Sequence, residues 1–233
     1  MKESREYSLE EVDALNKTLE DALKTLEEKA LLLRAKRMEV AENLSKAIGH
    51  ELTELGMKHA RFETEFQALS IEQARPHGMD QLEFMFSANL GEDLKPLARI
   101  ASGGEAARIM LAIKLILAHA APLQLLIFDE VDSGVSGETA ALVGKKLMEL
   151  ARTSQVMCVT HTAQVAAMAD THFYLYKDVE DGKTTTSVEK LDEEGHLNAV
   201  ATLLSGSTDT GTSLKLAKAL SLEAKKHRQT LLE

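Results

Sequence analysis

Three stretches of this 233-residue chain set reactive side chains at the edge of an apolar run. In the first, Leu125-Leu126-Ile127-Phe128 leads straight into Asp129 and Glu130. Apolar residues that end in adjacent carboxylates describe a buried strand delivering acid to its C-terminal end. In open parallel sheets, ligands bind at that end. A carboxylate buried there needs a compensating cation or donor. Asp129 suits a Mg²⁺ held through water, because Mg²⁺ prefers oxygen ligands and keeps much of its hydration. Glu130 is placed to orient or deprotonate an attacking water. Taken alone, the hexapeptide fits an ordinary strand end with two solvated acids about as well.

In the second stretch, Ser102-Gly103-Gly104-Glu105 directly precedes the apolar run Ala106–Ala118. Ser102 can cap a helix, and the glycines let a ligand approach the backbone. Free N–H groups at the positive end of the dipole then favour an anion. Alone, a flexible turn with a good N-cap explains it better. The third stretch, Val156–Val159, ends in Thr160 and His161. A lone histidine is more often structural than catalytic. Here its strand should neighbour the Asp129–Glu130 strand, so that both tips open on one side of the sheet.

Periodicity shows the elements that must position these groups. Residues 1–58 carry apolar residues in a heptad frame with Leu9 at a and Val12 at d. The seam continues through 16/19, 23/26, 30/33, 37/40 and 44/47, and only Asn16 and Arg37 interrupt it. Such a run predicts a coiled-coil arm that needs a partner strand. From residue 59 to 233 the pattern is that of an α/β lobe. Residues 61–66 and 81–86 alternate and flank the turn-prone Arg75-Pro76-His77-Gly78, which predicts an antiparallel pair. There follow an apolar helix (about 104–119), buried strands at 125–128 and 156–159 around a helix (about 137–152), and a short helix. A strand from Phe173 with a return ending near Leu191 comes next, then helices at about 196–204 and 210–228. Strand–helix–strand order with uninterrupted apolar strands indicates a parallel-strand core.

Composition narrows the class. Lys and Arg number 27 against 37 Asp and Glu, a formal charge of −10, which argues against a surface coating nucleic acid along its length. Trp is absent, and the basic residues of the last helix, Lys215, Lys218, Lys225, Lys226 and Arg228, are better read as a solvated face. The single cysteine, Cys158, excludes a disulfide framework and fits a reducing compartment. The longest stretch without Asp, Glu, Lys or Arg, Thr153–Ala169, is too polar to span a membrane, and the first seven residues lack the apolar core of a signal peptide. A soluble cytoplasmic protein is expected.

Together the three stretches resemble the C-terminal half of an ABC-type ATPase head: signature motif, Walker B, then H-loop. The coiled-coil arm points to the SMC-like branch rather than to transporters. The wording is closest to the bacterial RecN family of DNA repair proteins. Leu97–Glu105, Ile127–Gly137 and Val159–Asp170 carry the resemblance, which covers residues 56 to 220 or so. It implies that Asp129 holds the Mg²⁺ shell, Glu130 is the catalytic base and His161 contacts the γ-phosphate of ATP. Ser102, Gly103, Gly104 and Glu105 would form the signature facing the nucleotide of an opposing head, and Asp132 would lie in the loop crossing between heads. Ala101 stands where most ABC signatures carry Leu, but it suits RecN. The implied partners are an N-terminal ATPase half, a second head as homodimer, and DNA in double-strand-break repair and recombination. The implied place is the nucleoid.

A phosphate loop requires G-x-x-x-x-G-K-[ST] between a strand and a helix. The only Gly-Lys-Thr, Gly182-Lys183-Thr184, has Lys177 where the first glycine belongs and follows Asp178, Glu180 and Asp181. Asp181-Gly182 instead signals a hairpin. The chain is therefore expected to be a C-terminal portion of a longer protein, inactive alone as an ATPase. A non-catalytic coiled-coil interaction module, or a head fragment of another SMC-like ATPase, remains an alternative.

Overall fold

The computed structural model describes residues 8–100, 102–118, 125–135, 137–180, 183–206 and 211–232. Helix α1, Leu9–Glu54, has 46 residues and so a length of roughly 70 Å. It starts in a reciprocal capping box. The Glu11 N–H donates to Ser8 Oγ at 3.3 Å, and the Ser8 N–H donates to Glu11 Oε2 at 2.9 Å. The seam residues Leu9, Val12, Leu19 and Leu26 are exposed. At the other end Ile48, Leu52 and Leu55 are fully buried, so the helix changes from a projecting rod to a core element along its length.

The change begins near Arg37, one of the residues that interrupts the heptads. Strands β1 (Arg61–Ala68) and β2 (Asp80–Ser87) form an antiparallel hairpin, with β3 (Lys95–Pro96) beside β2. The hairpin tip grips α1. Arg34 Nε donates to Asp80 Oδ1 at 2.5 Å and Arg37 Nη1 to Asp80 Oδ2 at 3.4 Å. Arg34 Nη2 reaches the Met79 carbonyl at 3.2 Å and Arg37 Nη2 the His77 carbonyl at 2.7 Å. The Asp80 side chain is only 1% exposed, so its charge depends on these guanidinium groups.

Phe62 pairs with Phe86 and Phe66 with Leu82, so the alternating apolar residues do share a face. Phe62 and Phe86 enter the main core with Ile48, Leu52 and Leu55, while Leu82 and Phe84 remain exposed. That core also takes Ile109, Leu111, Ala112 and Leu115 of α2 (Gly103–Ala118), Phe128 of β4 (Leu125–Asp129), and Val143 and Leu147 of α3 (Gly137–Leu150). Lys146 of α3 binds Glu51 at 2.8 Å and Glu54 at 2.5 Å on the root of α1. Burial alone would lower the Lys146 pKa, but these carboxylates raise it above the ordinary lysine range.

Strand β4 pairs in parallel with β5 (Gln155–Val159), as the strand–helix–strand order predicts. The expectation that both strands are buried holds on one face only. Leu126, Phe128, Val156 and Cys158 pack on the core. Leu125, Ile127, Met157 and Val159 face outward, with Ile127 64% and Val159 55% exposed. Uninterrupted apolar sequence marks two faces that avoid water, whereas the described residues cover one.

The chain continues through α4 (Ala163–Ala166), a hairpin of β6 (Phe173–Glu180) and β7 (Lys183–Lys190), α5 (Glu193–Ser205) and α6 (Gly211–Leu232). Lys183 and Thr184 thus open a strand opposite Glu180 and Val179, and no helix follows them, while Asp181 and Gly182 lie outside the described residues. Ala163, Ala166, Ala167, Val200 and Ala217 form a second core. At its edge the Nδ1 atoms of His172 and His196 are 3.1 Å apart. Burial lowers both pKa values, with His196 adding to the shift at His172; at His196 Glu193 opposes it and Lys225 and Arg228 reinforce it.

Two outcomes follow from these contacts. Replacing Asp80 with Ala should cost about 2 kcal/mol in denaturant titrations and speed hydrogen exchange around residues 34–48. Unchanged exchange there would remove the clamp. For the histidine pair, the unfolded chain takes up protons near pH 6.5 while the folded chain resists them. Stability should therefore be greatest above that pH and fall as pH drops below it. His172→Gln should flatten this slope in melting experiments.

Candidate functional site

The β4–β5 register pairs Asp129 with Val159, which puts the ends of both strands side by side. Asp129, Glu130 and His161 are all exposed at this edge. Glu130 has φ of +58°, the left-handed region, which costs a non-glycine residue roughly 1–2 kcal/mol. The chain reverses here, and the Ser133 N–H donates to the Glu130 carbonyl at 2.9 Å. The reversal keeps Glu130 on the surface and sends Val131 and Asp132 into the interior with no exposed area.

The start of α2 lies against this turn. Ser102 caps the helix weakly, accepting from the Glu105 N–H at 3.4 Å, and its carbonyl accepts from the Ala106 N–H at 3.0 Å. Ser102 and Gly103 are exposed, Glu105 is half-buried and Gly104 is buried. Both glycines lie at close approaches, Gly104 against backbone and Gly103 against the end of a side chain. A Cβ on Gly103 would meet Glu130 Oε2 at 2.7 Å, and one on Gly104 would meet the Ser133 carbonyl oxygen at 2.6 Å. Arg108, one helical turn on, fastens the contact by donating from Nη1 to the Ser133 carbonyl at 2.8 Å. Its burial lowers the guanidinium pKa, opposed by Glu105. Sequence reasoning passed over Arg108, although a charge inside the apolar run Ala106–Ala118 was a usable signal.

Asp132, in the turn after β4, directs its carboxylate into the fold. Its Oδ2 accepts from Thr160 Oγ1, from Thr162 Oγ1 at 2.8 Å and from the Thr162 N–H at 3.3 Å. Burial would raise its pKa, but the donors of Thr160 and Thr162 outweigh it and hold the carboxyl below its ordinary value. The side chain therefore ties the turn after β4 to the turn after β5. The surface of its loop is carried by Ser133 and Gly134. Ala101 and Ser136, within two of the motif stretches, lie outside the described residues.

The edge is open rather than enclosed. A cavity of about 230 Å³ lies elsewhere, lined by Asp170, His172, His196, Lys225 and Arg228 among others. Among the described residues, no group of three or more His, Cys, Asp or Glu side chains could hold a metal. Asp129 and Glu130 have no ion-pair partner there either. An exposed hard oxygen donor suits a Mg²⁺ that keeps most of its water, and it cannot make a cage by itself. For a nucleotide, the described residues supply an acidic edge and a helix start but no phosphate cradle. Cys158 packs on the core face of β5, where burial, then Asp132 and Asp129, push its thiol up to about 12. On α6, Lys225 pairs with Glu193 and Arg228 with Asp170, so these cations are partly spent within the fold.

No family model matches the chain. It is 40% identical over 215 residues to the DNA repair protein RecN of Vibrio cholerae, which covers 92% of this chain and 39% of that protein. Against the DNA repair protein RecN of Bacillus subtilis the identity is 36% over 232 residues, covering 94% of this chain and 40% of the relative. The chain belongs to the RecN family. It spans about two-fifths of the length of these relatives. Among solved structures, the Smc head domain with a coiled coil and joint from Pyrococcus yayanosii aligns with a TM-score of 0.52. That alignment covers 82% of this RecN-family chain and 34% of the Smc chain at 20% identity, a likeness of fold. Among the described residues, no helix is long and apolar enough to cross a membrane.

The two glycines should separate experimentally. Gly104→Ala forces a side chain onto backbone and should cost about 1–3 kcal/mol in denaturant unfolding. Gly103→Ala meets only the free end of Glu130 and should stay within about 0.5 kcal/mol of the parent. Equal losses would mean that α2 does not rest on the 130–134 turn.

Proposed function

We propose that this chain is one half of an ATPase head that works in DNA double-strand-break repair and recombination through ATP-dependent head engagement. The observation that carries the proposal is the shared edge: Asp129, Glu130 and His161 at adjoining strand tips, with the start of α2 packed on the same turn. Similarity to RecN proteins named for DNA repair supports the biological role. The uncovered apolar face of β4 and β5 supports an N-terminal half that brings further strands and the phosphate loop. The exposed seam of α1 supports a coiled-coil arm with a second strand over residues 1–58. A second head, as homodimer, and DNA complete the assembly, in the cytoplasm at the nucleoid.

Roles follow from position. Asp129 is at the right place to hold the water shell of Mg²⁺, and the ion when bound would offset charge on the phosphate oxygens of ATP. Glu130 Oε2 takes the proton of an attacking water, and its left-handed backbone turns the carboxylate out of the sheet to meet it. His161 contacts the γ-phosphate. Ser102, Gly103 and Gly104, with Glu105, form the signature that faces the nucleotide of the opposing head, using a hydroxyl and the free N–H groups of a helix start. Asp132 lies in the loop that crosses between heads, and its buried carboxylate holds the two turns together.

The test joins this chain to a half that carries a phosphate loop. The 233-residue chain alone should show no ATP turnover above background. In the joined protein Glu130→Gln should slow hydrolysis by about 100-fold or more while nucleotide binding persists. Near-normal turnover would remove Glu130 as the base.

A further inference from the structure

The buried carboxylate of Asp132 has two unlike oxygens. Oδ2 accepts from Thr160 Oγ1, Thr162 Oγ1 and the Thr162 N–H. Oδ1 is buried and has no hydrogen-bond partner. A buried acceptor left bare costs about 1–3 kcal/mol, so a donor that could reach it would be drawn in. His161 Nδ1 stands 3.9 Å from Oδ1, too far for a hydrogen bond and within reach after a small turn of the ring. The imidazole is 72% exposed and can turn. Its backbone cannot, because Thr160 and Thr162 on either side of it both bind Asp132.

We infer that Asp132 is a positioning residue for His161, fixing the imidazole proton on Nδ1 and leaving Nε2 to face the open edge of the strand tips. Which nitrogen of an imidazole carries the proton is set by the partner of the other. With Nδ1–H directed to Asp132, the neutral ring offers a lone pair at Nε2 and can accept a proton there. When protonated, the ring is paired with a buried negative charge and offers an Nε2–H donor to an anionic oxygen. The threonine hydrogen bonds keep Asp132 ionised despite burial, so an acceptor is present in either case. What this does for a γ-phosphate rests on the proposed function. The tautomer does not.

The experiment is a long-range ¹H–¹⁵N correlation spectrum of the chain labelled at histidine, recorded without nucleotide near pH ~8.5, where a histidine of ordinary pKa is neutral. His161→Gln assigns the signal. The Nδ1–H form of His161 should predominate by roughly fivefold or more. Asp132→Asn keeps the shape, and the threonine donors should hold the amide oxygen in the place of Oδ2. Its NH₂ group then faces His161, and the ring should switch to the Nε2–H form. A predominance of Nε2–H in the parent chain overturns the inference, as does the same tautomer ratio in both proteins. The parent spectrum decides the question even if the variant does not fold. A purely structural Asp132 would alter stability without moving the tautomer. Normal turnover by His161→Gln in the joined protein would remove the phosphate contact and leave the pairing with Asp132 standing.

Discussion

The in-register parallel pairing of β4 with β5 is the constraint on which the site depends. Because Asp129 lies opposite Val159, the chain leaves both strands at the same height, and the two turns that follow come within bonding distance. A slip of β4 by one residue would turn Leu126 and Phe128 out of the core and carry Asp129 inward, since side chains alternate along a strand. Asp132 adds a second lock to the same register. Its buried charge is tolerable only while Thr160 and Thr162 are in place, so it stabilises one relative position of the two turns and penalises others. A functional edge built this way takes its precision from strands and a satisfied buried group rather than from loops alone.

The arm is joined to that edge through packing. Helix α1 is held at two levels, by Asp80 of the hairpin near Arg34 and Arg37, and by Lys146 of α3 near Glu51 and Glu54. Helix α3 is the crossover that links β4 to β5, and its Val143 and Leu147 share a core with Leu52, Leu55 and Phe128. A tilt of the arm would thus have to strain a buried ion pair, a core or the crossover itself. The hairpin and α3 make the arm part of the head at its root, while its outer seam remains available to another helix.

Much of this was legible because periodicity is a physical signal. Apolar alternation required Phe62 and Phe66 to share a face with Leu82, Phe84 and Phe86, and the apolar runs ending in Asp129 and in Thr160-His161 required strands whose tips carry polar groups. Three things were not legible. The inward turn of Asp132 depends on the left-handed backbone of Glu130, which no residue type there announces, since glutamate rarely adopts it. The clamp at Asp80 looked like a fault in the heptads, because Arg37 finds its partner across a hairpin distant in sequence. Burial of β4 and β5 was overstated because apolar sequence records that a face avoids water without recording what covers it.

Charge limits what this edge can hold by itself. Asp129 and Glu130 stand together and exposed, and Ser102 and Gly103 add only the partial positive charge of a helix start, about half an elementary unit. Two carboxylates outweigh that, so a phosphate approaching this edge alone meets net repulsion. Arg108 cannot correct the balance, because it is buried and committed to the Ser133 carbonyl. In the proposed assembly, a metal ion and a second lobe would supply the positive charge that the described residues lack. A site that is repulsive until those arrive is one in which ligand binding and the joining of lobes favour each other, since each supplies the charge that the other lacks. On the proposed function, the acidic edge would suit engagement that depends on nucleotide better than a permanent pocket.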